Sequence, residues 1–398
     1  MQGVSCIAIE TLHLHQRRSV SMSDLVISAV EAIPLKIFGD THFAISEGRA
    51  NAHFAVLLIL KTDDENIYGF SEIACAPPGK PEEIPGEVVS AIENYIGPAL
   101  VGTKATHLNQ AMQLVHKSIK GKNWTKAATN VALHDLWAKS QKQPLLTMLG
   151  GEVKSRIPVI GDVIGIMSPD AMAEVAAHQV RDGIKTLKIK VGETVAADVD
   201  RVRAVRQAVG DDVSIRVDAN DHYVVAEAVS LINKIEDCMI EHVEQPIGRF
   251  DLLGMKNLRK KVSIPITTDD MVASVEDAMN VIRLDATDRI KVKVTKHGLT
   301  DARAIAKMAR AAGLEVILGH VFQTGLGAVA EAHLAASCAE IRCVNEIGSL
   351  GPIGVKDDLI AESLRKEAGY MEIPKGPGLG VTLDWLTVDK YRYDFRDI

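Results

Sequence analysis

Lys188-Ile-Lys190 sets two lysines two positions apart on a short apolar run that ends at Gly192. In a strand, residues i and i+2 point to one face, so both ammonium groups emerge side by side. Repulsion between them and burial both lower an ammonium pKa, which is how a lysine becomes a base near neutral pH. An edge strand with two solvated lysines is the plainer alternative, and the residues that follow decide against it. Successive apolar runs end in Asp218, Glu244 and Asp269, and a further run ends in Lys293. From Lys190 the steps are 28, 26, 25 and 24 residues. One βα unit of a parallel barrel has this length, roughly 250 residues over eight units, so these groups recur at one end of consecutive strands and converge.

Three carboxylates from neighbouring strand ends form an all-oxygen site suited to Mg²⁺ or Mn²⁺ rather than zinc. Lys190 precedes the acids in barrel order and Lys293 follows them. A divalent ion between two such bases can hold a substrate carboxylate and stabilise the enediolate left when an α-proton departs. The alternative, acids that only neutralise the lysines, needs several coincidences in the right order. The series Lys-x-Lys, Asp218, Glu244-Gln-Pro, Asp269-Asp270 and Lys293-Val-Thr-Lys296-x-Gly298 resembles the enolase superfamily in its muconate-lactonizing-enzyme subgroup. The resemblance spans roughly residues 25 to 395. It implies Asp218, Glu244 and Asp269 as metal ligands, and Lys190 and Lys293 as acid/base lysines on opposite faces of the substrate. It also implies that Lys188 depresses the pKa of Lys190. A lysine or histidine base working with bound Mg²⁺ is general to that superfamily.

Lys296, His320, Gln323, Asn220 and Glu346 are candidate substrate contacts. Gln323 stands where muconate-lactonizing enzymes usually have a glutamate. His320 is placed as mandelate racemases place a catalytic histidine, but Lys293 occupies the position of the aspartate that such a histidine needs. The Asp-x-Asp that binds the substrate ammonium in dipeptide epimerases of the subgroup is replaced by Asn345-Glu346-Ile. Glu346 therefore either accepts an ammonium or caps a loop. The shared step is metal-assisted proton transfer at the α-carbon of a small carboxylate. A muconate-cycloisomerase-type isomerase is the first expectation, from the Lys-x-x-Lys-x-Gly stretch and the missing Asp-x-Asp. A racemase or epimerase of an amino-acid derivative or dipeptide is the second, and an acid dehydratase with His320 as acid is the third. A binding protein that keeps the barrel without turnover is the reading from a different class.

The elements that must position these groups fall into two parts. Residues 25–38, 52–61 and 67–70 read as an antiparallel meander, with polar loops at 39–48 and 73–79 that select substrate in the resembled subgroup. Residues 82–141 carry helical periodicity, for example Val88, Val89, Ile92 and Ile96 on one face. This predicts an α+β capping domain over 25–145. From 146 to 370 strand-like and helical runs alternate, which favours a modified (β/α)8-type TIM barrel. The rival doubly wound sheet would show a glycine-rich phosphate loop after its first strand, and none is present. Residues 371–398 form a turn-rich segment returning to the cap, and residues 1–24 read as a disordered extension.

Of the 398 residues, 47% are hydrophobic and 24% charged, the balance of a globular protein. A net charge of −7 gives no electrostatic case for nucleic acid or an anionic membrane. The five cysteines are odd in number and lack a Cys-x-x-Cys pair, as expected of a cytoplasmic chain in a reducing compartment. A homo-oligomer is expected.

Overall fold

The computed structural model describes residues 25–46, 48–76, 83–362 and 364–397, so the expected extension at 1–24 lies outside the described residues. Strands β1 (Ile27–Ile45), β2 (Gly48–Thr62) and β3 (Tyr68–Cys75) form an antiparallel sheet in that order. The β1–β2 register runs from Ala29↔Lys61 to Phe38↔Ala52, shifts, and resumes at Phe43↔Ala50. The loop expected at 39–48 is therefore largely strand with a bulge in it. The bulge falls at Gly39, where a Cβ would stand 2.0 Å from the Ile353 carbonyl oxygen, so only glycine admits that approach. Beyond the bulge Phe43 is buried again.

Both faces of β2 are covered. Phe54, Val56, Leu58 and Leu60 pack on Val88, Ile92, Val115 and Leu136 of the cap helices, including Leu108–Ser118 and Asn123–Ser140. The alternate residues Ala55, Leu57 and Ile59 join the core that continues into the barrel. A two-residue period thus sends one strand into two cores.

The barrel begins at β4 (Ile157–Pro158) and continues through β5 (Thr186–Lys190), β6 (Ser214–Asp218), β7 (Ile240–Glu244), β8 (Ile266–Thr268), β9 (Arg289–Val292) and β10 (Glu315–Leu318). Strands β5 to β10 pair in parallel, in sequence order. Bridges Val159↔Asn345 and Ile164↔Ile189, with Glu346 N–H donating to the Leu318 carbonyl at 2.9 Å, close the ring through an eighth segment around Asn345. Helices Pro169–Arg181, Val195–Val209, Val225–Lys234, Leu252–Arg259, Val275–Leu284, Val294–Ala311 and Gly325–Ser337 connect successive strands. The eighth segment is followed by the short turn Gly351–Ile353 instead of a barrel helix. Then β11 (Lys366–Glu367) and β12 (Tyr370–Met371) add to β4.

Cap and barrel are tied at many places, three of them through Asn130, Asp135 and Pro34. Gly298 adopts φ 62° inside helix Val294–Ala311, which lets the Asn130 side chain reach in and accept from the amides of Leu299 (2.9 Å) and Thr300 (3.2 Å). The chain end supplies the others: Leu379 N–H donates to Asp135 at 2.8 Å, and Tyr393 N–H donates to the Pro34 carbonyl at 3.2 Å. No helix among the described residues is long and apolar enough to cross a membrane.

Burial pushes His134 and His333 down to about 4, although each ring also bonds a backbone carbonyl, Asn130 at 2.7 Å and Leu379 at 3.0 Å. Their folded pKa values lie below the unfolded value of about 6.5. Their contribution to stability is therefore present above that value and is lost as pH falls through about 4. Urea midpoints should drop between pH 6.5 and 4, and His333→Gln should flatten the drop; an unchanged slope would contradict the assignment.

Candidate active site

The barrel register sets the first row of the site. Lys190 pairs with Asp218 and Asp218 with Glu244, so these three side chains lie at one height on β5, β6 and β7. Lys190 Nζ donates to Asp218 Oδ2 at 2.7 Å and to Asn220 Oδ1 at 2.6 Å. Across the barrel Lys293, just past β9, holds Asp269 Oδ2 at 2.6 Å. Strands β5 and β9 are four steps apart in the eight-membered ring, so the two lysines approach the mouth from opposite sides.

One layer lower lies a buried ionic floor. Lys188 Nζ reaches Glu244 at 2.8 Å and both Asp218 and Glu346 at 2.9 Å. Lys291, two residues before Lys293, donates to Glu244 and, at 2.6 Å, to Glu346. Arg216 closes the set on Glu346 at 3.1 Å. The pairs Lys188/Lys190 and Lys291/Lys293 are the same i, i+2 device on facing strands. Spacing alone marks Lys291 as inward-facing, yet its partner Glu346 lies on the helix-less eighth segment, which carries little pattern.

Charge balance departs from the expectation for closely spaced lysines. Burial works to lower both Lys188 and Lys293, but the neighbouring acids outweigh it and hold both ammonium groups above their usual range. Asp218 supplies the largest lift at Lys188, and Asp269 does so at Lys293. Lys188 therefore acts as a counter-ion shared by three carboxylates. Burial also disfavours ionised Asp218 and Asp269, yet their lysine neighbours keep both well below the carboxylate range. Glu244 behaves oppositely: burial, then the Asp218 charge, pushes it up to about 8 in spite of Lys188 and Lys291.

A cavity of about 230 Å³ opens above this floor. Asp218, Asp269, Lys188, Lys190 and Lys293 line its base, and Asn220 and His320 its flank, whereas Phe43, Phe54, Trp124 and Phe322 form an apolar upper wall. His320 is partly buried, its Nδ1 is buried with no partner among the described residues, and desolvation holds its pKa well below the usual value. Three expected substrate contacts do not line the cavity. Lys296 folds onto the Asp269 carboxylate (2.8 Å) and carbonyl (2.6 Å). Glu346 is used up by three cations. Gln323 is packed behind the wall against Gly327 and Gly348.

The residues fit a hard divalent cation. Asp218, Glu244 and Asp269 offer only oxygen donors on three adjacent strands. Burial and the Asp218 charge both raise Glu244, and a cation beside these acids would favour its ionised form. Among the described residues, donor atoms within 4.8 Å of one another belong instead to His242, Glu244 and Glu346. That lower cluster is already filled by Lys188 and Lys291, and Arg289 takes His242 Nδ1 at 2.9 Å.

Comparison with known proteins agrees with this geometry. Residues 171–387 match the model of the enolase C-terminal domain-like family, and residues 39–150 match the mandelate racemase / muconate lactonizing enzyme N-terminal domain. The chain is 34% identical to the L-Ala-D/L-Glu epimerase of Bacillus subtilis (strain 168) over 299 residues, 74% of this chain and 80% of the relative. The crystal structure of N-succinyl Arg/Lys racemase from Bacillus cereus ATCC 14579 superposes with a TM-score of 0.87 at 27% identity, covering 93% of this chain and 98% of the other. A muconate lactonizing enzyme from Pseudomonas fluorescens, solved with muconolactone, gives 0.86 at 27% identity, covering 92% and 99%. With a capping sheet, a curled parallel barrel and facing lysines over a floor of acids, the chain belongs to the enolase superfamily, in its mandelate racemase / muconate lactonizing enzyme branch, and is an isomerase of that type.

Proposed function

We propose that this enzyme moves a proton between the two faces of the α-carbon of a small carboxylate, racemising or epimerising an amino-acid derivative. The observation that carries this reading is the placement of Lys190 and Lys293 on strands four apart in the ring, over one cavity. One lysine, as the free amine, takes the α-proton; the C–H pair moves into the carboxylate as an enediolate. The facing lysine, as ammonium, delivers a proton to the opposite face. Mg²⁺ or Mn²⁺ held by Asp218, Glu244 and Asp269 would supply the positive charge that stabilises the enediolate. In this reading Lys188 and Lys291 keep the acids aligned, and residues 25–145 act as the selecting cap over the barrel at 146–370.

Cycloisomerisation, which needs one proton transfer only, is the second reading, favoured by the 0.86 match to a muconate lactonizing enzyme. It places a second carboxylate in the cavity, and among the described residues no arginine lines it to receive one. The test is NMR in D₂O with Mg²⁺ over N-acyl amino acids, dipeptides and unsaturated diacids. Racemisation predicts α-deuterium with loss of optical purity, abolished by EDTA and restored by Mg²⁺. Lactone formation without racemisation would establish the second reading, and no exchange with any acid would defeat both.

A further inference from the structure

His53 on β2 faces the same cavity from the cap, with its side chain 3% exposed. Its Nε2 lies 2.7 Å from Glu72 Oε1 on β3. The two residues sit on one face of the sheet, and the Ala55–Ala74 pair between them leaves room for the long side chains to meet. Glu72 is itself fixed. Its Oε2 accepts from Thr324 N–H at 3.0 Å (shared with Oε1 at 3.2 Å), from the Thr324 hydroxyl and from Gly327 N–H at 3.3 Å, at the start of helix Gly325–Ser337. Those donors require an oxygen on that side. An ionised carboxylate is an acceptor only, so Nε2 must carry a hydrogen toward Oε1. When the ring is neutral its lone pair then falls on Nδ1, which has no partner among the described residues and is not sealed from the cavity.

No other group on the upper wall plays this part. Phe43, Phe54 and Phe322 carry no polar side-chain atom, the Trp124 indole N–H can only donate, and the acids at the base are engaged by lysines. Glu346, the acid on the eighth segment, lies beneath the cavity under three cations. We propose that His53, oriented by Glu72, is a specificity-determining residue that accepts a hydrogen bond from an N–H or O–H group on the substrate's otherwise apolar far end. This rests on the proton-transfer reading above and deepens it. The preferred substrate carries a carboxylate at the barrel end and a hydrogen-bond donor, such as an amine or amide N–H, beneath the cap.

The test uses three probes that differ at one carbon: L-alanyl-L-leucine (ammonium), propionyl-L-leucine (hydrogen) and pyruvoyl-L-leucine (carbonyl). Binding is measured by calorimetry on the full-length protein with Mg²⁺, separately from α-deuterium exchange. Wild type should bind the alanyl probe at least about tenfold more tightly than the propionyl probe, the worth of one hydrogen bond from a charged donor. His53→Phe should bind all three alike. Glu72→Gln provides a second arm that keeps the shape. The helix donors hold its amide oxygen at the Oε2 position, so its NH₂ faces His53, the ring switches tautomer, and Nδ1 becomes a donor. Preference should then invert toward the pyruvoyl probe. Equal probe affinities in wild type, or an unchanged preference in both variants, would overturn the role of His53. Absence of deuterium exchange would count against the proton-transfer reading alone, because the binding order is read independently of turnover.

Discussion

Lys293→Ala abolishes racemisation, lowering the rate by about 10³-fold or more, while deuterium exchange persists for one enantiomer only. Removing a positioned acid or base costs about 10²–10⁴-fold, and here the two-sided reaction needs both lysines. With Lys293 gone, Lys190 still faces its own side of the α-carbon and can exchange the proton it reaches. Lys190→Ala should show the mirror result with the other enantiomer. Circular dichroism and urea midpoints should stay close to wild type, because Asp269 keeps Lys296 at 2.8 Å and Asp218 keeps Lys188 at 2.9 Å. Equal exchange of both enantiomers in either variant would remove the facing-base mechanism.

Lys291→Met should cost about 3–5 kcal/mol of folding stability, as expected when one member of a buried ion cluster is removed and its partner Glu346 stays charged. Lys291 is fully buried and bonds Glu244 and Glu346 at once. Methionine nearly conserves the volume, so the loss reports charge rather than a void. Adding Glu346→Gln should recover part of it. The control is Lys61→Met, whose ion pair with Glu31 is as short (2.6 Å) but is 53% and 40% exposed; it should change stability by less than about 1 kcal/mol. Similar urea midpoints for the two variants would show that the floor does not stabilise the barrel.

Much of the site was legible because its spacing is local. Steps of 24 to 28 residues count strands and helices, and Lys188-Ile-Lys190 encodes one inward face, so the barrel and its facing lysines follow from arithmetic. The floor was harder to read. Lys291 and Arg216 lie inward by the same two-residue period, but their meaning depends on Glu346, 55 and 130 residues away. The bulge at Gly39 is set by the Ile353 carbonyl, more than 300 residues on, which no local pattern reports. Gln323 and Lys296 were placed by sequence neighbourhood at the mouth, whereas packing turns one behind the wall and folds the other onto Asp269. The muconate-type expectation and its epimerase rival share the same lysines. What separates them is the upper wall, whose side chains come from β1, β2, a cap helix and the loop after β10 and carry no motif.

The chain end that bonds to Asp135 and Pro34 has a mechanical result. Stitched at both termini and again at Gly298, the cap cannot swing like a hinged door. The β1–β2 tip beyond the Gly39 bulge borders the cavity and touches the barrel, with Ile166 N–H donating to the Ala44 carbonyl at 2.8 Å and the Ser46 hydroxyl to the Asn220 carbonyl at 3.2 Å. Exchanging that tip alone would alter admission while leaving the proton-moving floor untouched.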